Sequence, residues 1–304
     1  MPKELWDITL GNEYEFYGMT RNPFPATAIV GPEDYESKTH FLDSLRRKEL
    51  EQIITKYVRP TMQGETTNLW VEGDVGVGKS ALMLHVQEVI NTKYGNDFIA
   101  LFIYSPEAGM KGILTDLISN MQRIGFDRFI ARLVKVAIQS NPKIVSSKKK
   151  PLLREDLRDY KDLIKSGALE QQAVLSELKK MMFKKFPYVD LKFLDPLIDY
   201  ISEPEDSIQK MKKTASTERL PLMIAFIHAL NLAGYKTVFL MIDQLETGWT
   251  DWTKLQKDRF SIDVRELVVR TKPLLAVEVT TNSSILQDIE TSWGTLLRPL
   301  PKQG

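Results

Sequence analysis

Cysteine is absent from the 304 residues. That excludes disulfide frameworks, cysteine-ligated zinc, iron–sulfur clusters and thiol catalysis. Histidine is scarce: His40, His85 and His228 lie far apart, so a histidine-built metal centre is not expected. Charge of one sign is also lacking. The 41 Lys+Arg nearly cancel the 40 Asp+Glu, leaving +1, so the molecule does not attract nucleic acid through bulk charge. The longest apolar run, about Leu220 to Ala233, is shorter than the ~20 residues of a membrane span and carries His228 and Asn231. Met1-Pro2-Lys3-Glu4 has no apolar signal segment behind it. The expectation is a soluble, cytoplasmic protein without a membrane partner. What is present fits an ordinary folded chain, 43% hydrophobic and 27% charged, long for one compact domain and short for two large ones.

Residues 1–36 read as a turn-rich arm held by its rings, with Phe16-Tyr17-Gly18 and Asn22-Pro23-Phe24-Pro25 alternating aromatics and backbone breakers. From Thr39 to Val58 apolar residues recur at helical spacing, and Pro60 is expected to end that helix. Asn68 to Glu72 predicts a short strand, Lys79 to about Lys93 a helix, and the unbroken apolar run Phe98 to Tyr104 a strand covered on both faces. Further strands are predicted over Thr237–Ile242 and Pro273–Thr280. Residues 106–235 show helical patterns only, at Ile113–Ile124, Arg128–Gln139, Leu169–Phe186 and Leu191–Ile201. That window holds 22 Lys+Arg against 16 Asp+Glu, an excess of six, which leaves −5 for the rest of the chain. Strands alternating with helices predict an α/β fold with a mainly parallel sheet. The organisation expected is an arm over 1–36, a core from 37–105 and 236–304, and a helical insertion over 106–235. Only one helix is needed to cross between neighbouring parallel strands, so most of the insertion is expected to form an appendage with a small core of its own.

Gly73-Asp74-Val75-Gly76-Val77-Gly78-Lys79-Ser80 fits the pattern G-x-x-x-x-G-K-[ST] at every position. Its glycines allow positive φ, which turns successive backbone N–H groups toward one centre and makes an anion-binding nest. The helix that follows adds the positive end of its dipole. In such a loop Lys79 places charge on the β- and γ-phosphates and Ser80 ligates Mg²⁺, with Ala81 completing the nucleotide-binding set. Val238 to Ile242 is an apolar strand ending in Asp243, which would hold the same Mg²⁺. The catalytic base is open between two residues. Gln244, directly after Asp243, can orient a water but cannot accept a proton, whereas Glu246 can do both.

These motifs resemble P-loop ATPases of the AAA+/STAND group, including replication-initiator and ExeA-like ATPases. Asn22-Pro23-Phe24-Pro25 is similar to the N-P-F segment that leads into the adenine pocket of that group. Asp243-Gln244-Leu245-Glu246 is similar to the Asp-Gln-Phe-Glu form of the Walker B box, which implies Glu246 as the catalytic residue. Val277 to Asn282 resembles the sensor 1 strand, implying Asn282, or else Thr281, as the contact to γ-phosphate or water. The resemblance implies a P-loop three-layer sandwich with strand order 5-1-4-3-2. It also implies an arginine finger, for which Arg298 matches best and Arg265 and Arg270 are alternatives. Two departures stand out. Gly31-Pro32-Glu33 lacks the arginine of the usual Gly-Arg-Glu, and too few residues follow the sensor strand for strand 5 and a helical lid.

The activity so implied is ATP binding, with ATP hydrolysis to ADP and phosphate, in a molecular switch of a nucleoprotein or multiprotein assembly. A STAND-type signalling or defence ATPase, and an ATP-binding assembly module with little turnover, are the alternatives. The expected partners are another protein or further copies of this chain. Nucleic acid is a further candidate through the lysines and aromatics of the insertion (Phe183, Phe186, Tyr188).

Overall fold

The computed structural model describes residues 50–65, 69–73, 78–104, 106, 109–146, 154–282 and 285. Four strands form one sheet: β1 (Leu69–Glu72), β2 (Phe98–Tyr104), β3 (Thr237–Asp243) and β4 (Leu275–Thr281). All neighbours pair in parallel, in the order β1-β4-β3-β2, with Trp70 opposite Val279 and Ile242 opposite the same residue from the other side. β3 and β4 are buried along their whole length and β2 along all but its last residue. Such strands need helices on both faces, which is why they carry unbroken apolar runs.

Alternate side chains serve the two faces. On one side Phe98, Ala100, Phe102, Phe239 and Met241 meet α2 (Lys79–Lys93) and a helical segment containing Tyr57. That segment does not stop at Pro60. A π-helical turn, Ile54–Val58, runs into a short α1, Arg59–Met62, with Pro60 inside it. Proline gives no N–H and crowds the carbonyl four residues back. A wider turn just upstream lets the helix carry it for one more turn.

On the other side Ile99, Leu101, Val238, Leu240, Val277 and Val279 meet α3 (Met110–Ile124), α9 (Arg219–Leu232) and α11 (Lys254–Thr271). A further layer packs on α3 and α9. It contains α4 (Phe126–Ser140), α5 (Leu157–Lys165), α6 (Gln171–Lys185), α7 (Asp195–Asp199) and α8 (Pro204–Lys212). The described part of 106–235 is helical apart from one isolated antiparallel bridge, Val145 to Leu169.

The expected appendage with its own core is corrected. One continuous apolar cluster joins the sheet to α3, α4, α6 and α9, including Phe126, Phe129, Leu178 and Phe226. Polar ties reinforce it. Arg132 on α4 donates to the Asn96 carbonyl in the turn before β2 (2.7 Å), ion-pairs with Glu155 (3.0 Å) and lies over the Tyr235 ring.

Candidate functional site

The end of β1 leads to Gly73, and Gly78 then opens α2 at φ 82°, ψ 27°, a left-handed conformation suited to glycine. No side chain caps this helix, and its first ladder bond is from Leu82 N–H to the Gly78 carbonyl. The amides of Lys79, Ser80 and Ala81 therefore have no acceptor inside the helix and add positive potential at its start. Lys79 Nζ donates to the Gly73 carbonyl at 2.6 Å, spanning the loop. Asp74, Val75, Gly76 and Val77 lie outside the described residues, as do Arg298 and Asn22 to Pro25.

Asp243 stands at the end of β3 and is fully buried. Its Oδ1 accepts from the Thr280 hydroxyl, and the Ser80 hydroxyl and Gln244 N–H also favour its ionised form. Oδ2 is buried without a hydrogen-bond partner. Burial dominates and raises the carboxyl above its usual range, while Ser80, Thr280, Gln244 and the charge of Lys79 pull it down. Ser80, in the first turn of α2, and Asp243, at the end of β3, thus sit within mutual reach.

Gln244 adopts φ 50°, ψ 44°, the one non-glycine residue with positive φ among those described. A left-handed glutamine costs free energy, of the order of 1–3 kcal/mol, and such strain concentrates at functional turns. Its N–H donates to Thr280 Oγ1 at 3.2 Å. The reversal starts α10 (Leu245–Asp251) directly after the strand, with Glu246 in its first turn. Glu246 Oε2 is buried without a partner. Burial raises its carboxyl above the usual range, Lys79 lowers it, and Asp243 raises it. The Thr281 hydroxyl also favours the ionised Glu246, although no hydrogen bond of good geometry forms at that buried oxygen.

Lys79, Ser80, Asp243 and Glu246 are therefore brought into one electrostatic neighbourhood. Asn282 follows β4 immediately, at the same end of the sheet. Arg265 and Arg270 belong to α11. Arg270 pairs with Glu266 at 2.7 Å near the start of β4, the opposite end of that strand from Thr280.

Thr280 was not singled out by the sequence pattern, yet it is the residue that holds Asp243. Strand parity could have found it. With β4 beside β3 and Val279 opposite Ile242, the next pair along is Thr280 and Asp243.

Two buried carboxylate oxygens without partners, a hydroxyl and an ammonium form a donor set that suits a hydrated divalent cation carrying phosphate. Among the described residues no group of three or more His, Cys, Asp or Glu could hold a metal. No family model matches the chain, and neither a curated protein nor a solved structure matches it.

Proposed function

We propose that this chain is an ATP-binding and slowly ATP-hydrolysing switch of the P-loop, AAA+/STAND-like kind. The observation that carries the reading is the convergence of Lys79 and Ser80, placed after β1, with Asp243 and Glu246, placed after β3, across the intervening β4. The parallel order β1-β4-β3-β2 supports it, since it matches the 1-4-3-2 portion of the expected sheet. Gly73 to Ser80 would wrap the phosphates, with Lys79 exchanging the Gly73 carbonyl for phosphate oxygens. Ser80 and Asp243 would hold Mg²⁺, which neutralises phosphate charge when bound. Glu246, with its unpartnered oxygen and raised pKa, would take the proton of the attacking water, while Gln244 and Asn282 orient it.

The protein-partner reading of the helical layer is favoured over nucleic acid by how its lysines are used. Lys179 pairs with Asp195 (2.7 Å), Lys192 with Glu218 (2.7 Å), and Lys185 donates to Asn231 (2.7 Å). Cations already paired offer less to a polyanion. No helix of the described residues is long and apolar enough to cross a membrane.

The test is ATP binding and turnover in five proteins, the wild type and four variants. Lys79→Ala should abolish Mg-ATP binding with the fold intact, and Asp243→Asn should abolish turnover. Glu246→Gln should bind ATP and lose turnover by ~10²–10³-fold. A Glu246→Gln protein at wild-type rate beside an inactive Gln244→Ala would transfer the water-positioning role to Gln244. Binding without turnover in the wild type would select the assembly-module reading.

A further inference from the structure

On the sheet face opposite α2, a cavity of about 260 Å³ opens between the N-terminal ends of α3 and α9 and one side of α11. Its walls combine two arginines with two rings. Arg219 Nε donates to the Thr214 carbonyl at 3.3 Å, and no described residue takes its two terminal amino groups. Arg259 feels the Asp263 carboxylate one turn along α11 but forms no ion pair with it. Trp252 and Phe260 stand with ring centroids 4.8 Å apart and supply the apolar wall. The α3 helix begins at this cavity, at Gly109 and Met110, and adds the positive end of its dipole.

We propose that this cavity is a second ligand site, taking a mononucleotide: phosphate on Arg219 and Arg259, and the flat base along Trp252 and Phe260. Two guanidiniums converging on one cavity match phosphate oxygens, and both are donors that stay charged at any working pH. The rings exclude a bare inorganic anion as the best fit, because it would leave the apolar wall uncovered. Asp263 argues the same way. A carboxylate in an anion site is unfavourable unless the ligand also brings hydrogen-bond donors, which ribose hydroxyls and base amino groups do. The volume, just under the usual range of about 300–1,000 Å³ for small-molecule sites, favours one nucleotide over a longer strand.

The site is distinct from the loop at Lys79, which lies with α2 on the other face. The two are nevertheless joined by one short element. Trp252 follows α10 directly, and Glu246 sits in the first turn of that helix, with the fully buried Trp249 between them. A ligand against Trp252, whose ring lies 6.0 Å from that of Trp249, therefore bears on the short helix that carries Glu246.

Equilibrium dialysis of the full chain with adenosine monophosphate, adenosine and inorganic phosphate tests the site. Adenosine monophosphate should bind more tightly than either fragment. Arg219→Ala/Arg259→Ala should weaken it at least tenfold and Trp252→Phe only slightly, and in a Lys79→Ala background the binding that remains should still depend on the two arginines. Circular dichroism and a melting curve confirm that the variants fold; should the double variant fail, Arg259→Gln, at an exposed position, takes its place. Binding lost in Lys79→Ala and retained in the arginine variants would assign the ligand to the loop and overturn the proposal. Phosphate binding as tightly as adenosine monophosphate, or neither binding, would overturn it equally.

Discussion

Glu278 lies in the middle of β4, opposite Leu69 and Met241, with both carboxyl oxygens buried and without a hydrogen-bond partner. Its charge reaches Tyr57, whose hydroxyl is pushed away from ionisation first by burial and then by Glu278. Burial alone raises the Glu278 carboxyl to about 8, so the folded protein holds it protonated at neutral pH. The unfolded chain does not, its glutamate titrating near 4.5. Between those values the folded state binds one more proton than the unfolded state, so stability falls as pH rises, by at most ~1.4 kcal/mol per pH unit. Below about 4.5 the contribution is fully present, and above about 8 it is lost. Glu278→Gln keeps the shape without the ionisation, so its stability should decline less between pH 5 and 8 than that of the wild type. Denaturant titrations of both proteins at the two pH values measure this, and parallel declines would rule it out. The same strand shows what residue-level reading reaches. The polar end of Val277 to Asn282 marked it as a site strand, but which hydroxyl meets Asp243 depends on parity and register, and those depend on the neighbouring strand.

Among the described strands β2 is the edge of the sheet beside β3, and its outward backbone groups are not left bare. The Asn91 side chain on α2 takes both groups of Ala100, accepting from its N–H at 2.8 Å and donating to its carbonyl at 2.9 Å. Asn120 on α3 does the same at Phe102, donating to the carbonyl at 2.6 Å and accepting from the N–H at 3.4 Å. Asp116 accepts from Tyr104 N–H at 3.2 Å. Gln87 on α2 also donates to the Ala100 carbonyl at 3.1 Å, so four side chains from two helices cover alternate positions where another strand would pair, a direct guard against edge-to-edge association. Asn120→Leu leaves buried backbone groups unpaired and should cost about 2–4 kcal/mol of stability. Asn91→Ala, where water can enter more readily, should cost about 1–2 kcal/mol. Both should also aggregate sooner on heating, as light scattering would show; unchanged denaturation midpoints would remove this role. Element positions themselves were legible. α2 and β2 begin and end at the residues their patterns named, because a glycine loop and an unbroken apolar run are local signals. The span 191–201 was not, since a 3₁₀ turn over Leu191–Leu194 passes into α7 at Asp195-Pro196, where proline suits a helix start and not its interior. The asparagine clamps have no local signal at all. They join residues 9 and 18 positions apart whose contact exists only after packing.

At the scale of the molecule, strand order was legible and the partition of the core was not. The resemblance to P-loop ATPases carried that order, 5-1-4-3-2, and the four described strands follow its 1-4-3-2 portion. Whether 106–235 folds on itself or on the sheet depends on which apolar faces meet, and helical periodicity alone does not say. The chain meets the demand of β2 and β3 for cover with helices from that window: α3 lies on β2 and α9 on β3. α9 is apolar nearly all round, with Met223, Phe226, Ile227 and Leu230 buried, as a helix between two layers must be. Its outer side is then closed by α4, α6 and the 3₁₀ turn at Leu191. Removing residues 106–235 behind a short linker would strip the cover from Ile99, Leu101, Ile103, Val238, Leu240 and Ile242. At ~1.5–3 kcal/mol for each side chain returned to water, that is roughly 9–18 kcal/mol. The net stability of a domain is only about 5–15 kcal/mol. The deletion is therefore expected to unfold the sheet and abolish Mg-ATP binding together, seen as loss of a cooperative melting transition. A soluble deletion protein that melts cooperatively and still binds Mg-ATP would mean that α11, α2 and the sheet suffice, and that the helical layer is separable after all.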